Sequence, residues 1–259
     1  MKLIISAIIF IYVVMATPLS AEEKTGVVLM HGKWGTSLPN SPIGQLADFL
    51  SGKGFLVSSP DMPWSRERGL EKSYDESMYE IDGIVKELRN RGATKIVVGG
   101  HSMGANAALG YGARRDGLAG ILAIAPGHVP ELAGFQNKMD NDWQRAQEMV
   151  SAGKAKDIAE FKDINQGRQT AKNIQAGIYL SWYNPEGPAV IPINVTNLKQ
   201  GTPLLWIIGE KDRMHERGKG YAFSSATAHP KNSYIVVKGG HKATPQRGAA
   251  EILDWLEGL

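Results

Sequence analysis

Short, continuous runs of apolar, β-favouring residues recur along this chain, separated by longer amphipathic stretches. The runs lie at residues 26–30 (GVVLM), 55–57 (FLV), 95–98 (KIVV), 120–125 (GILAIA), 204–208 (LLWII) and 234–237 (YIVV). A strand that is apolar at consecutive positions rather than alternate ones is covered on both faces. That pattern requires helices on either side of a mostly parallel sheet, and helical periodicity indeed fills most gaps, at 43–50, 74–88, 103–111, near 216–226 and at 245–256. The expectation is an α/β fold with a central sheet of about six strands joined by right-handed crossovers.

One gap breaks the rhythm. Between Pro126 and Pro203 the chain makes an excursion too long for a plain crossover. Helical pieces are expected at 142–151, 155–161 and 170–178, followed by a Pro/Gly/Asn-rich return at 184–198. It reads as a small helical cap, about residues 128–200, inserted after the fourth strand.

The amino terminus is a separate module. Met1 and Lys2 precede an uncharged, mostly apolar run at 3–16, and Thr17-Pro18-Leu19-Ser20-Ala21 then offers turn-prone, small residues before Glu22. This is the layout of a cleaved signal peptide, residues 1–21, with 22–259 as the mature domain exported to the periplasm or secreted. A membrane span wants about 20 predominantly apolar residues, and Thr17, Pro18 and Ser20 interrupt the stretch. An uncleaved anchor is the alternative, but after cleavage no stable membrane span is expected.

The 259 residues contain no cysteine, which excludes disulfide frameworks, thiol catalysis and Cys-ligated metals. A formal net charge of +3, spread along the chain, gives no footprint for nucleic acid. His101, His128, His215 and His229 form no H-x-x-H or H-E-x-x-H pattern, so neither a metal nor another cofactor is expected. Oligomeric state is left open.

The run at 95–98 leads into Gly99-Gly100-His101-Ser102-Met103-Gly104-Ala105, so G-x-S-x-G falls where a strand turns directly into a helix. The serine occupies a sharp turn above the carboxyl edge of the sheet, and the glycines let neighbouring backbone pass close by. Here the chain resembles the α/β-hydrolase superfamily, from Thr25 to Leu259. In that superfamily an acid and a histidine follow the nucleophile, each after a later strand. Gly209-Glu210-Lys211-Asp212 follows the run at 204–208 and places Asp212 at the G-x-x-D position, with Glu210 as a local competitor. Lys238-Gly239-Gly240-His241 follows the last run.

The resemblance implies Ser102 as nucleophile, His241 as its base, and Asp212 orienting the imidazole. The first strand ends in Met30-His31-Gly32-Lys33-Trp34-Gly35, similar to the superfamily's HG loop. Two backbone N–H donors are needed for a tetrahedral oxyanion: that of Met103 and that of Lys33 or Trp34. His31 is expected to brace this loop, and Trp34 to form a wall of the substrate pocket. Trp143, Phe161, Tyr179, Trp182 and Tyr183 either shape the pocket or pack the cap. The implied activity is carboxylic-ester hydrolysis through an acyl-enzyme, with a small-molecule ester as substrate. A peptidase or amidase using the same three residues, and a non-catalytic binding module on a hydrolase fold, are the alternatives.

Overall fold

The computed structural model describes residues 23–259; the leader expected at 1–21 lies outside them. The apolar runs form one six-stranded sheet, interleaved with helices in the order β1 (Thr25–Met30), α1 (Pro42–Ser51), β2 (Leu56–Ser58), α2 (Tyr74–Asn90), β3 (Lys95–His101), α3 (Met103–Arg114) and β4 (Gly120–Ile124). After an excursion come β7 (Leu204–Gly209) and β8 (Ser233–Val237), then α8 (Thr244–Arg247) and α9 (Ala249–Glu257). Every strand pair is parallel, in the spatial order β2-β1-β3-β4-β7-β8.

Alternate residues of each strand enter two separate cores. Val27, Leu29, Val97, Leu122 and Ile207 meet Ile43, Leu46 and Leu50 of α1 and Ile252 and Leu256 of α9. Val28, Met30, Val98, Ala123 and Ile208 meet α2 and α3 on the other face. Burial on both faces is the physical reason the strands read as unbroken apolar runs. Local signals start the helices: Ser41 accepts from the Gly44 amide ahead of Pro42, and Ser73 and Glu76 form a reciprocal capping box on α2.

The order reverses at β1. The chain leaves β1 for β2 on one side and returns to β3 on the other, so the loops after β1 and β3 open a crevice at the carboxyl edge, the usual ligand position in such sheets.

The excursion between β4 and β7 differs from the expected helical cap. It contains α4 (Ala133–Asn137), α5 (Asp142–Ser151), α6 (Ala176–Tyr183) and α7 (Ile191–Thr196), but also an antiparallel hairpin, β5 (Ile158–Asn165) and β6 (Arg168–Gln175). The helices expected at 155–161 and 170–178 are therefore corrected to this hairpin. Its turn has two residues, Gln166 and Gly167, both at positive φ, the conformation that matches the right-handed twist of paired strands. The helix expected near 216–226 is also corrected: Gly218, at φ 61°, and Ala222, in a non-helical conformation, divide it into three single 3₁₀ turns.

Aromatic side chains fasten the excursion to the main domain. Phe161, Tyr179 and Tyr183 stack in a row with centroids 4.3 and 4.1 Å apart, and Trp182 meets Trp64 and Tyr74 edge-on at 5.5 and 4.7 Å. The Trp182 indole donates to the Lys72 carbonyl at 3.0 Å. Helix α6 is mostly apolar, and its Ala176, Tyr179, Trp182 and Tyr183 are buried. Among the described residues, no helix is long and apolar enough to cross a membrane.

Candidate active site

Ser102 lies between β3 and α3 with φ 58° and ψ −116°, a conformation that a non-glycine residue adopts only when its surroundings enforce it. The enforcement is visible in the neighbouring glycines. A Cβ on Gly104 would lie 2.5 Å from the Met30 carbonyl oxygen, and one on Gly100 would lie 2.7 Å from the same atom. Strand β1 and the turn thus touch backbone to backbone, which only glycine permits. Gly127, after β4, closes the other side: a Cβ there would be 2.9 Å from the Ser102 Oγ and 3.5 Å from the His241 Cε1. The hydroxyl and the edge of the imidazole therefore border one small gap.

The loops after β7 and β8 bring Asp212 and His241 together. Their backbones are tied where the Lys211 amide donates to the Gly239 carbonyl at 2.9 Å. His241 Nδ1 donates to Asp212 Oδ2 at 2.6 Å, and the Met214 amide donates to Asp212 Oδ1 at 2.8 Å. Burial opposes charge on this carboxyl, but the hydrogen bond and charge of His241 and the Met214 amide outweigh it and hold it below the ordinary aspartate range. With the proton of the neutral ring fixed on Nδ1, Nε2 is a bare acceptor. It is buried and has no hydrogen-bond partner. Glu210 is exposed, and its side chain makes no such contact.

His101, beside Ser102, donates from Nε2 to the His241 carbonyl at 2.9 Å and packs at a tilt on the His241 ring, 4.7 Å away. Burial and the neighbouring His241 lower its pKa to about 3, so it is a neutral brace for the histidine loop.

The loop after β1 is anchored from three directions. His31 Nδ1 donates to the Gly32 carbonyl at 2.8 Å, and its Nε2 accepts from the Met62 amide at 3.0 Å. Trp64 donates to the His31 carbonyl at 2.8 Å. His31 is thus engaged on both ring nitrogens, turned away from the hydroxyl. The Trp34 amide donates to the Trp64 carbonyl at 2.9 Å, which leaves the Lys33 amide as the loop's available donor. The Met103 amide opens α3, where an N–H has no intrahelical partner.

One residue absent from the sequence reasoning holds this loop. Asp163, on hairpin strand β5, accepts from Lys33 Nζ (2.6 Å), the Tyr183 hydroxyl (2.6 Å) and the Trp34 indole (2.7 Å). Asn165 on the same strand donates to the Lys33 carbonyl at 3.1 Å. Both charges are buried, with 5% of the Lys33 side chain and none of the Asp163 side chain exposed. Burial pulls the Lys33 ammonium down and by itself would raise Asp163; the lysine and the two further donors prevail and lower Asp163 to about 2. Asp163 accepts three hydrogen bonds and Lys33 Nζ donates three, to Asp163, the Ile164 carbonyl and the Tyr183 hydroxyl, a pattern that the ionised pair satisfies in full. A period-two signal was present, since Phe161 and Asp163 are the buried pair of β5.

A cleft of about 750 Å³ opens over Ser102, Met103, Asp212 and His241, bordered by Lys33. Val129, Leu132, Phe135 and Ile164 supply its apolar lining. Trp34 is not part of that lining; its indole faces Asp163, and Lys172 Nζ covers its ring at 4.6 Å. The expected pocket wall is therefore corrected to an anchor between loop and hairpin. Trp143, Phe161, Tyr179, Trp182 and Tyr183 are likewise outside the lining. Among the described residues, no group of three or more His, Asp or Glu is gathered to hold a metal ion.

The fold is similar to several solved structures. A monoacylglycerol lipase of Paleococcus ferrophilus is 21% identical with a TM-score of 0.65, covering 91% of this chain and 96% of its own. A metagenome-derived lipolytic enzyme, from the LipS and LipT pair, is 16% identical at a TM-score of 0.64, with 92% and 95% covered. Est1E from Butyrivibrio proteoclasticus is 16% identical at 0.60, with 92% and 90% covered. No curated protein matches the chain by sequence. The family model described as serine aminopeptidase, S33, matches residues 21–243, and the chain belongs to that family of the α/β-hydrolase superfamily.

Proposed function

We propose that this protein is an exported serine hydrolase that cleaves carboxylic esters of small molecules through an acyl-enzyme. The observation that carries the reading is the bare, buried Nε2 of His241, held by Asp212 at the rim of the gap that Ser102 Oγ enters. Oγ attacks the ester carbonyl while Nε2 accepts its proton, and Asp212 stabilises the imidazolium. The carbonyl oxygen becomes an oxyanion that accepts from the Met103 and Lys33 amides. Collapse expels the alkoxide, which takes the proton from Nε2. Water then gives a proton to Nε2 as it attacks the acyl-enzyme, and the acid leaves as Ser102 regains that proton.

The family description favours a second reading, an aminopeptidase with the same three residues. Recognition of a protonated α-amine calls for a carboxylate in the cleft. Among the described lining residues only Asp212 is acidic, and it is committed to His241. The ester reading fits better, and the lipolytic and esterase neighbours agree with it in fold.

The test is incubation of the mature protein with a fluorophosphonate probe and intact-mass readout, alongside turnover of p-nitrophenyl esters and aminoacyl p-nitroanilides. Labelling of Ser102, lost in Ser102→Ala, with turnover of esters alone is expected. Labelling at another serine overturns the site, and preferential turnover of anilides overturns the ester assignment. The leader at 1–21 supports export; amino-terminal sequencing of protein recovered outside the cytoplasm should begin at Glu22.

A further inference from the structure

The lining of the cleft is one-sided in charge. Lys138 follows α4, Lys211 and Arg213 flank Asp212, Arg217 ends the first 3₁₀ turn after β7, and Lys242 follows His241. All five are exposed. None forms an ion pair among the described residues: Asp140 pairs with Lys162 and Asp212 with His241, and Glu210 and Glu216, which adjoin Lys211 and Arg217 in sequence, are exposed and outside the lining of the cleft. Glu131, on the excursion, has its carboxyl pushed up by burial and accepts from the Tyr221 hydroxyl. Arg213 spans the mouth. Its guanidinium reaches the hairpin turn on the opposite wall, where a Cβ on Gly167 would lie 3.5 Å from Nη1.

Three segments distant in sequence thus converge unpaired cations on one opening, above an apolar lining of Val129, Leu132, Phe135 and Met214. Like charges gathered around one opening repel each other and are relieved by a bound counter-charge. Two of the five are arginines, whose planar fork suits the paired oxygens of a carboxylate or phosphate.

We infer that the substrate is an ester bearing an anionic group, a carboxylate or phosphate, separated from the scissile bond by an apolar segment. This rests on the esterase reading and narrows it: the apolar segment lies along the lining, and the anion meets Arg213 and Arg217 at the mouth, with Lys138 facing them from the cap.

Two matched pairs of esters test it. 4-Acetoxybenzoate against its methyl ester places the charge on the leaving alcohol; p-nitrophenyl hydrogen suberate against methyl p-nitrophenyl suberate places it on the acyl group. The expected result is a kcat/KM ratio favouring the anionic member by about tenfold or more in at least one pair, as one charge meeting several at a partly screened opening should produce. The pair that responds identifies the half of the substrate that carries the anion. The ratio should fall at high salt, and fall by about threefold or more in Arg213→Gln/Arg217→Gln and to a smaller extent in Lys138→Gln. Ratios at or below one in both pairs, with the neutral esters turned over, overturn the anion inference and leave the esterase intact. A preference that survives both salt and the arginine substitutions overturns the assignment to this rim. No turnover of any of the four esters, with no fluorophosphonate adduct on Ser102, removes the esterase reading and this inference with it.

Discussion

Two buried carboxylates in this molecule each hold a nitrogen base at 2.6 Å, and they do opposite things. Asp163 is saturated: lysine, tyrosine and tryptophan donors all point at it, and Lys33 Nζ further donates to the Ile164 carbonyl at 3.2 Å. Asp212 also has its donors, but its partner His241 keeps one buried nitrogen without any. A closed network locks a loop in place. A network left open by one acceptor is ready to take a proton, and its cost is offset by the packing around it. Proximity of charges therefore does not separate the two pairs; the partnerless nitrogen of His241 does.

The largest test of this contrast is Asp212→Asn. The amide keeps the shape but favours the wrong imidazole tautomer, and kcat should fall about 10⁴-fold, near 5.5 kcal/mol of barrier. Thermal unfolding should change little; a large drop in Tm with a small drop in kcat would make this pair structural as well.

Asp163→Asn should show the reverse. It leaves the Lys33 ammonium buried without its counter-charge, and denaturant unfolding should register a loss of about 3–5 kcal/mol. Replacing both partners, Lys33→Met with Asp163→Leu, removes the stranded charge and should recover much of the stability, because the desolvation of two charges disappears with them. If the double variant is no more stable than the single one, the hydrogen bonds to Tyr183 and Trp34 outweigh the ion pair.

Acid sharpens the comparison further. Asp163 is depressed in the folded protein, so the stability it contributes is complete above the unfolded aspartate value and is lost as pH falls from about 4 towards 2. Urea midpoints from pH 5 downward should therefore converge between the wild type and the Lys33→Met/Asp163→Leu variant, with about 2 kcal/mol of the wild type's relative stability lost over that window. A difference constant with pH would mean that Asp163 is not charged in the folded state.

The smallest effect is expected at Glu210, the carboxylate two residues before Asp212. It is exposed and outside both networks, so Glu210→Gln should cost less than about tenfold in kcat, under about 1.4 kcal/mol. A loss as large as that of Asp212→Asn would place Glu210 in a shared carboxylate network with His241.

The same contrast explains what could be read in advance. Asp212 was legible because it sits at a fixed spacing behind an apolar strand, and the strand itself was legible because both its faces are covered. Asp163 was not, because nothing near it in sequence announces its partners. Its strand carries exposed Ile158, Glu160 and Lys162 alternating with buried Phe161 and Asp163, and a run with so many charges resembles an amphipathic helix unless the Gln166-Gly167 turn is recognised. Trp34 misled for a related reason. Its loop lies beside the crevice, but the hydrogen bond from its indole to Asp163 turns the ring away from the cleft.

By itself the sequence determined the layered sheet, the strained serine turn and the order in which serine, acid and histidine return to one sheet edge. Those depend on apolar periodicity and on backbone conformations encoded within a few residues. Only the tertiary structure decided that Lys33 meets Asp163 across 130 positions, and that five unpaired cations from three separate segments border one opening. These are long-range choices made by how the excursion folds back over the sheet. A charged side chain carries no local signal of whether it will end in water, in a buried pair or at a cleft, because that outcome is set by which surfaces are desolvated together.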